Sequence, residues 1–435
     1  MVARRSLRPL QKGRKPPLRS TNTSEGENRR RKDMVSKPDI TVKFCKLELE
    51  NPFLLSSAPP TCTGEMIMRA FEEGWAGAVT KTIKPDKTPV YDLDNRFGIM
   101  GFEDKQMILF ENIEEVTKRP VGTWVKEIKE VKKKFPDKIL IGSLMAEPKE
   151  EDWEELARTI SEAGVDMLEL NLGCPHGMPE RGMGAFCGQR PDLIDRLTRA
   201  AKRTSSVPVM VKLTPNVTDI ALMAQSAEKA GADAISAINT VLGLIGINID
   251  TFEPMPTVDG KSTFGGMSGP GVKPIGQRCV AQIAQATNIP VSGIGGVTTW
   301  RDAVEYLLVG ANNVQVCTAV MWRGYRIVAD MIDGLTNYLS DRGFSSVKDI
   351  AGKTLPKLTA WGKLNKDYEV VATINKDLCI KCGLCYVACR DGGYQAIKFE
   401  QGKAAEVDEE KCDACALCTL ICPVPNCTTW KRVKK

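Results

Sequence analysis

Two runs of cysteine near the C-terminal end of the chain are the most specific chemical signal in the sequence. Both runs, CIKCGLCYVAC and CDACALCTLICP, have the spacing C-x2-C-x2-C-x3-C. This spacing is typical of bacterial ferredoxins that hold two 4Fe–4S clusters. The sequence therefore predicts a small electron-transfer domain. Its candidate ligands are Cys379, Cys382, Cys385, Cys389, Cys412, Cys415, Cys418 and Cys422.

The fourth cysteine of each run is expected to bind the cluster of the other run, as in two-cluster ferredoxins. The first cluster would then be held by Cys379, Cys382, Cys385 and Cys422, and the second by Cys412, Cys415, Cys418 and Cys389. Zinc sites or disulfides are the alternative. Zinc takes four ligands in two paired knuckles, which would leave the triple spacing unexplained. Arg390 stands where the second run has Pro423, and Cys427 receives no role.

One further cysteine stands alone in a glycine-rich loop. The stretch ELNLGCPHGMPERGMG, residues 169–184, holds Cys174 and His176, the only histidine of the chain. Cys174 has no C-x-x-C partner, so it is either a small buried thiol or an acid. A thiol with an ordinary pKa of about 8.5 can exchange a proton near neutral pH. The loop glycines would let the segment open and close over a site. They are Gly173, Gly177, Gly182 and Gly184.

Alternating strands and helices must position these groups. Amphipathic helical segments separate most of a series of apolar segments, which have the continuous pattern of strands buried on both faces. Eight such strands in about 270 residues predict a (β/α)₈ barrel, with an insertion at 83–138 over its mouth. A doubly wound sheet would need an early Gly-x-Gly-x-x-Gly turn, which the sequence lacks. The predicted strands are 52–58, 77–82, 139–145, 167–172, 207–214, 234–240, 290–297 and 313–320.

The C-terminal ends of these strands define the predicted active site, as in other barrels. Gly295 and Gly296 after strand seven and Thr318 after strand eight predict a phosphate site, with a tight turn as the alternative. Lys212 projects from a buried strand and needs an anion, either a reduced flavin or an ion-pair partner, and Lys81 resembles it. A flavin would link one-electron clusters to two-electron chemistry. Other strand-end candidates are Ser57, Ala58, Thr82, Asn171, Asn239, Thr240 and Cys317.

The basic residues of the chain are concentrated in its N-terminal tail. Residues 1–38 hold 12 Lys+Arg and 3 Asp+Glu out of 60 and 54, so the net charge of +6 becomes −3 for the rest. No basic stripe for nucleic acid remains, and no apolar run reaches the ~20 residues of a membrane span. Fifteen cysteines without a signal peptide predict a cytoplasmic location.

The predicted domain organisation has five parts. The tail, 1–38, is expected to be disordered, as an interaction arm, a transit-like segment or sequence upstream of a start at Met34. The barrel is predicted to occupy 39–344 and the cluster domain 373–427. A linker over 345–372 joins them, and a basic tail over 428–435 follows.

Several motifs together resemble the pyrimidine-reducing half of dihydropyrimidine dehydrogenases, which in bacteria is a separate subunit. They are the two cysteine runs and the segments NLGCPHGMPERGMG, AVTKT, VMVKLTPN, ISAINT, TFGGMSGPGVKPI and SGIGGV. The likeness covers about 39–427. It implies FMN, two 4Fe–4S clusters and interconversion of uracil or thymine with the 5,6-dihydropyrimidine. One departure is Gly173, where the family has serine.

The resemblance also implies roles for individual residues. Cys174 would be the general acid/base. The pyrimidine would be held by Asn112, Glu114, Asn171, Asn239 and Thr240, and FMN by Lys81, Lys212, Gly296 and Thr318. Because the chain has no nicotinamide fingerprint, electrons must enter through a partner subunit with FAD and an NAD(P) site. Two rivals stay open: a dihydroorotate dehydrogenase-like enzyme, which would need a cation for the orotate carboxylate, and a non-catalytic electron-transfer subunit.

Overall fold

The computed structural model describes residues 37–101 and 107–433. Apart from its last two residues, the tail predicted to be disordered lies outside the described residues. The described residues divide into two compact units, with the boundary between Leu355 and Pro356. No helix in the described ranges is long and apolar enough to cross a membrane.

The first unit is a closed barrel of eight parallel strands, which confirms the predicted (β/α)₈ fold. Each strand pairs with its neighbours in sequence, and the eighth pairs with the first through Val314 and Phe53 to close the ring. The strands are shorter than predicted because their polar ends leave the ladder to form the site. Their bounds are Phe53–Leu55, Gly77–Val79, Ile139–Leu144, Met167–Asn171, Val209–Leu213, Ala234–Ala237, Val291–Ile294 and Asn313–Val316.

Helices on the outside connect the strands and begin and end on recognisable signals. The Thr63 hydroxyl accepts from the Met66 amide at 3.1 Å to cap the first helix. Gly164, Gly231 and Gly310 follow helices with φ of +109°, +92° and +99°, the left-handed conformation that glycine tolerates before a strand. The helices of this unit are Gly64–Glu72, Val121–Lys134, Glu150–Glu162, Ala185–Gly188, Pro191–Thr204, Ile220–Lys229, Lys273–Ala286, Trp300–Leu308, Thr318–Arg323 and Ile327–Asp341.

An antiparallel sheet is inserted into the barrel at the end that carries the site. It joins strands from two loops, those after barrel strands two and six. The predicted insertion at 83–138 is therefore present, and it also contains the helix Val121–Lys134, which the sequence analysis missed. The sheet consists of Phe97–Gly101, Met107–Asn112, Val241–Gly243 and Gly265–Ser268. Short hairpins pair Val42–Phe44 with Leu47–Leu49 and Gly246–Ile247 with Pro254–Met255.

The second unit has a small core, and its boundaries differ from the predicted ones. Residues 428–433 form a strand paired along its full length with Glu369–Ile374, so the prediction of a C-terminal tail was wrong. The predicted linker is also too long, because Val347 and Ile350 are buried in the barrel core. The remaining elements are Ile397–Lys398, Glu406–Val407, Leu384–Gly392 and Leu417–Ile421.

Candidate active site and cluster cavities

One cavity at the C-terminal ends of the barrel strands collects every site residue that the sequence predicted in the first unit. The strands supply most of its wall and the inserted sheet supplies the rest. The predicted residues that line it are Ser57, Ala58, Lys81, Thr82, Asn112, Glu114, Asn171, Cys174, Lys212, Asn239, Thr240, Gly295, Gly296, Cys317 and Thr318.

The end of the cavity near strands seven and eight has the form of a phosphate cradle. Gly295 and Gly296 have φ of +125° and +70°, a backbone conformation that residues other than glycine rarely adopt. A Cβ on Gly296 would lie 2.8 Å from the Lys273 amide nitrogen, so the backbone there is too close for a side chain. The Thr318 hydroxyl is 2.8 Å from that of Ser268. These features fit an FMN phosphate bound by backbone amides and hydroxyls.

Lys212 lies at the floor of the cavity and is almost completely buried. Its ammonium is 3.3 Å from the Ser56 hydroxyl and 3.5 Å from Oε1 of Glu169. Glu169 is fully buried and accepts from the Ser236 hydroxyl at 2.9 Å. Glu169 was not among the predicted site residues, although a charged residue in the middle of the apolar strand MLELN is itself a signal of a specific buried partner.

Lys81 is paired with an acid supplied by the inserted segment. Its ammonium is 2.5 Å from Glu114, which also contacts the Arg96 guanidinium at 3.2 Å. The two residues were predicted to hold different ligands, FMN and pyrimidine, and the structure shows that they contact each other. Lys81 therefore has an ion-pair partner, which was the alternative to a flavin for the buried lysines.

A chain of amide and hydroxyl groups crosses the middle of the cavity. Asn239 Nδ2 donates to Asn171 Oδ1 at 2.8 Å, and Asn171 Nδ2 donates to the Thr82 hydroxyl at 2.9 Å. Asn112 Oδ1 accepts from the Glu114 backbone at 2.5 Å, which fixes the turn after the inserted strand. Paired amides of this kind can match the donor and acceptor edges of a planar amide ring.

Cys174 projects into this cavity from the loop after strand four. It is buried, and its thiol donates a hydrogen bond to the backbone carbonyl of His176 at 3.6 Å. Burial raises the pKa of the Cys174 thiol to about 11, partly opposed by the charges of Lys81 and Lys212. The thiol is therefore held in its protonated form at neutral pH, as an acid requires.

His176 fixes the shape of the loop. Its Nε2 is 2.9 Å from the Glu114 carbonyl oxygen, which ties the loop to the inserted segment. Burial lowers the pKa of His176, so the ring is neutral at physiological pH. A second tie joins the Arg181 guanidinium to Glu115 at 3.1 Å.

Gly173 allows Asn239 to approach the loop. A Cβ at position 173 would lie 2.6 Å from the Asn239 Cβ and 2.8 Å from its Nδ2. The close packing that holds Asn239 against Asn171 therefore requires glycine at this position. Gly173, which was expected to depart from the family pattern, thus lies against a predicted pyrimidine-binding residue.

The eight cysteines of the second unit line two separate cavities. Each cavity is lined by three cysteines of one run and the fourth cysteine of the other, as the crossed assignment requires. One has Cys379, Cys382, Cys385 and Cys422, and the other has Cys412, Cys415, Cys418 and Cys389.

The cysteines surround these cavities rather than meeting at one point. In the described ranges, no three histidine, cysteine or carboxylate side chains come close enough to hold a single metal ion. The crossed distribution of the eight cysteines over two cavities is the arrangement that a two-cluster ferredoxin requires. Cys427 is a fifth cysteine on the first cavity, and its thiol donates to the Asn375 carbonyl at 3.7 Å.

Comparisons with known proteins agree with both units. The family model for dihydroorotate dehydrogenase matches residues 39–339, and the model for a 4Fe–4S dicluster domain matches residues 372–430. The chain therefore belongs to the dihydroorotate dehydrogenase family of oxidoreductases, whose barrels bind FMN, and it carries a domain for two 4Fe–4S clusters.

The relatives include dihydropyrimidine dehydrogenases and a dihydroorotate dehydrogenase. The chain is 41% identical over 400 residues to the NAD-dependent dihydropyrimidine dehydrogenase subunit PreA of Escherichia coli, covering 91% of this chain and 96% of the relative. It is 40% identical over 342 residues to the chloroplastic dihydropyrimidine dehydrogenase (NADP(+)) of Arabidopsis thaliana, covering 76% and 80%. It is 39% identical over 320 residues to the catalytic subunit of dihydroorotate dehydrogenase B (NAD(+)) of Pyrococcus abyssi, covering 73% and 99%.

Proposed function

We propose that the chain interconverts uracil or thymine with the corresponding 5,6-dihydropyrimidine. The observation that carries this proposal is the meeting of the asparagine amides, the protonated Cys174 thiol and two lysines in one cavity of a chain that also holds two crossed cysteine sets. FMN, when bound, supplies a hydride to C6 of the pyrimidine. Cys174 donates the proton that C5 needs.

The asparagines are proposed to select a pyrimidine. Uracil presents alternating carbonyl and N–H groups, and Asn171 and Asn239 offer both an oxygen and an NH₂ group. Thr240 stands beside them, and Asn112 and Glu114 approach from the inserted segment. These residues orient the ring so that C5 faces the Cys174 thiol.

The charges in the cavity favour a neutral pyrimidine over orotate. The two lysines on the described wall, Lys81 and Lys212, each have a carboxylate partner, and Arg96 shares Glu114 with Lys81. A substrate carboxylate would have to compete with these acids for its counter-ion. Uracil and thymine carry no such charge.

Electrons are proposed to enter through a partner subunit with FAD and an NAD(P) site. The reduction consumes two electrons and two protons, with a hydride equivalent coming from NAD(P)H and a second proton from Cys174. The Escherichia coli relative is itself described as a subunit of an NAD-dependent enzyme. Cys382 and Cys415, one at each cluster cavity, are exposed, so each cluster would have an edge that a partner can approach.

Anaerobic purification and a reductive half-reaction test this function. We expect about eight irons and one FMN per chain, and bleaching of the flavin band on addition of dihydrouracil. Dihydroorotate is the matched control and should bleach the flavin far more slowly. Faster reduction by dihydroorotate would favour the rival enzyme, a flavin that neither compound reduces would favour an electron-transfer subunit, and zinc in place of iron would contradict the cluster sites.

A further inference from the structure

A buried acid lies beneath the cavity and has no part in the reaction described above. Glu169 is in the middle of the fourth barrel strand and is completely buried, although it is charged. Barrel interiors are usually filled by branched apolar side chains, so an acid at this position calls for a specific partner. Lys212 is the cation that it contacts.

The carboxylate is held from several sides. Oε2 accepts from the Ser236 hydroxyl at 2.9 Å and from Gln315 Nε2 at 3.3 Å. Oε1 faces the Lys212 ammonium at 3.5 Å. Ser236, Gln315 and Lys212 lie on different barrel strands, so the position of the carboxylate is fixed by the barrel itself.

Lys212 connects this acid with the cavity. Its side chain is part of the cavity wall, whereas Glu169 is not. Any ligand in the cavity therefore meets the ammonium and is separated from the carboxylate. Because both groups are buried and poorly screened by solvent, the charge of the acid still reduces the positive potential that the ammonium presents to such a ligand.

We propose that Glu169 is a positioning residue that sets the redox potential of FMN through Lys212. This inference rests on the proposed placement of FMN against Lys212. Reduction adds negative charge to the flavin, so an unopposed ammonium beside it stabilises the reduced form. Glu169 neutralises part of that ammonium and so holds the potential lower than Lys212 alone would set it.

The test is the midpoint potential of FMN in the purified full chain carrying Glu169→Gln. The substitution keeps the shape and removes the charge, so the potential should shift to a more positive value, and reduced FMN should bind more tightly relative to oxidised FMN. Spectroelectrochemistry gives the potential once the cluster signal of FMN-free protein is subtracted.

Two further variants make the test specific. Ser236→Ala removes one donor to the carboxylate but keeps its charge, so the potential should stay unchanged or become slightly more negative. Glu169→Asp keeps the charge but withdraws it from Lys212, so a smaller positive shift is expected, and this variant decides the question if Glu169→Gln fails to fold.

An unchanged or more negative potential in a folded, FMN-containing Glu169 variant would overturn the inference. Equal shifts in Ser236→Ala and Glu169→Gln would do the same, because they would indicate a packing effect rather than a charge effect. A wild-type chain that binds FMN but does not act on pyrimidines would refute the proposed function and leave this measurement valid.

Discussion

Replacing Cys174 with alanine removes the proposed acid from an otherwise complete site. The side chain is small and buried in the loop, and its thiol donates to the His176 carbonyl at 3.6 Å. The asparagine chain and the phosphate cradle do not depend on it. FMN, iron and pyrimidine should therefore remain bound in Cys174→Ala with near-normal affinity.

The expected loss is in turnover. A positioned general acid is worth roughly 10²–10⁴-fold in rate. At 1.36 kcal/mol for each factor of ten, this loss corresponds to about 3–5 kcal/mol of activation free energy. Cys174→Ser should also be slow, because a hydroxyl gives up its proton much less readily than a thiol.

The pH dependence of the two reaction rates distinguishes an acid from a purely structural residue. The pKa of about 11 keeps Cys174 protonated, so pyrimidine reduction should be nearly independent of pH from 6 to 9. Dihydropyrimidine oxidation needs the thiolate, whose fraction is on the order of 10⁻⁴ at pH 7 and grows tenfold per pH unit. Oxidation in the wild type should therefore accelerate with pH, and Cys174→Ala should lose that dependence.

Anaerobic stopped-flow measurement of flavin oxidation by uracil and reduction by dihydrouracil gives both rates. Cys187→Ala is the matched control, because this buried thiol belongs to the same loop region and bonds the Gly182 carbonyl at 3.2 Å, away from the cavity. It should retain near-wild-type rates. Wild-type turnover in Cys174→Ala would refute the assignment and leave the loop as a cover only.

Three further predictions concern the rest of the site. Gly173→Ala should weaken pyrimidine binding about tenfold or more without loss of FMN, because the added Cβ would displace Asn239. Gly122→Ala, where the added Cβ meets open space, is the control and should leave the affinity unchanged. Equal affinities of the two variants in a binding titration would contradict this prediction. Gly296→Ala should release FMN, measured as flavin per chain, because the cradle has no room for a Cβ. Cys389 belongs to the first cysteine run, but Cys389→Ala should remove the cluster held by the second run. Electron paramagnetic resonance and iron counting measure this loss. An intact second cluster in the variant would contradict the crossed assignment.

The barrel was predictable because its signals are local. Each parallel strand is an apolar run buried on both faces, and several of the preceding helices end at a glycine such as Gly164 that adopts a left-handed conformation. Side chains at consecutive strand ends must then meet at one end of the barrel. This reasoning placed residues as distant as Ser57 and Thr318 in one cavity.

Contacts made by inserted or short segments were not predictable. The partner of Lys81 is Glu114, which comes from an insertion whose path the strand pattern does not define. The final strand, Thr428–Val433, is rich in basic residues and was interpreted as a tail, because its only ladder is with Glu369–Ile374 at the other end of the unit. Neither contact leaves a periodic pattern in the sequence.

The contrast between the two cores makes the folding of the second unit depend on iron. The barrel buries a large continuous apolar core, whereas the core cluster of the second unit consists of Ala372, Ala396, Ile397, Ala405 and two of its own cluster cysteines. With so little apolar burial, the second unit must draw its folding free energy from the clusters. Crossed ligation means that neither half can complete a cluster alone. In an iron-starved cell the barrel would therefore stay folded on its own core, whereas the second unit would not.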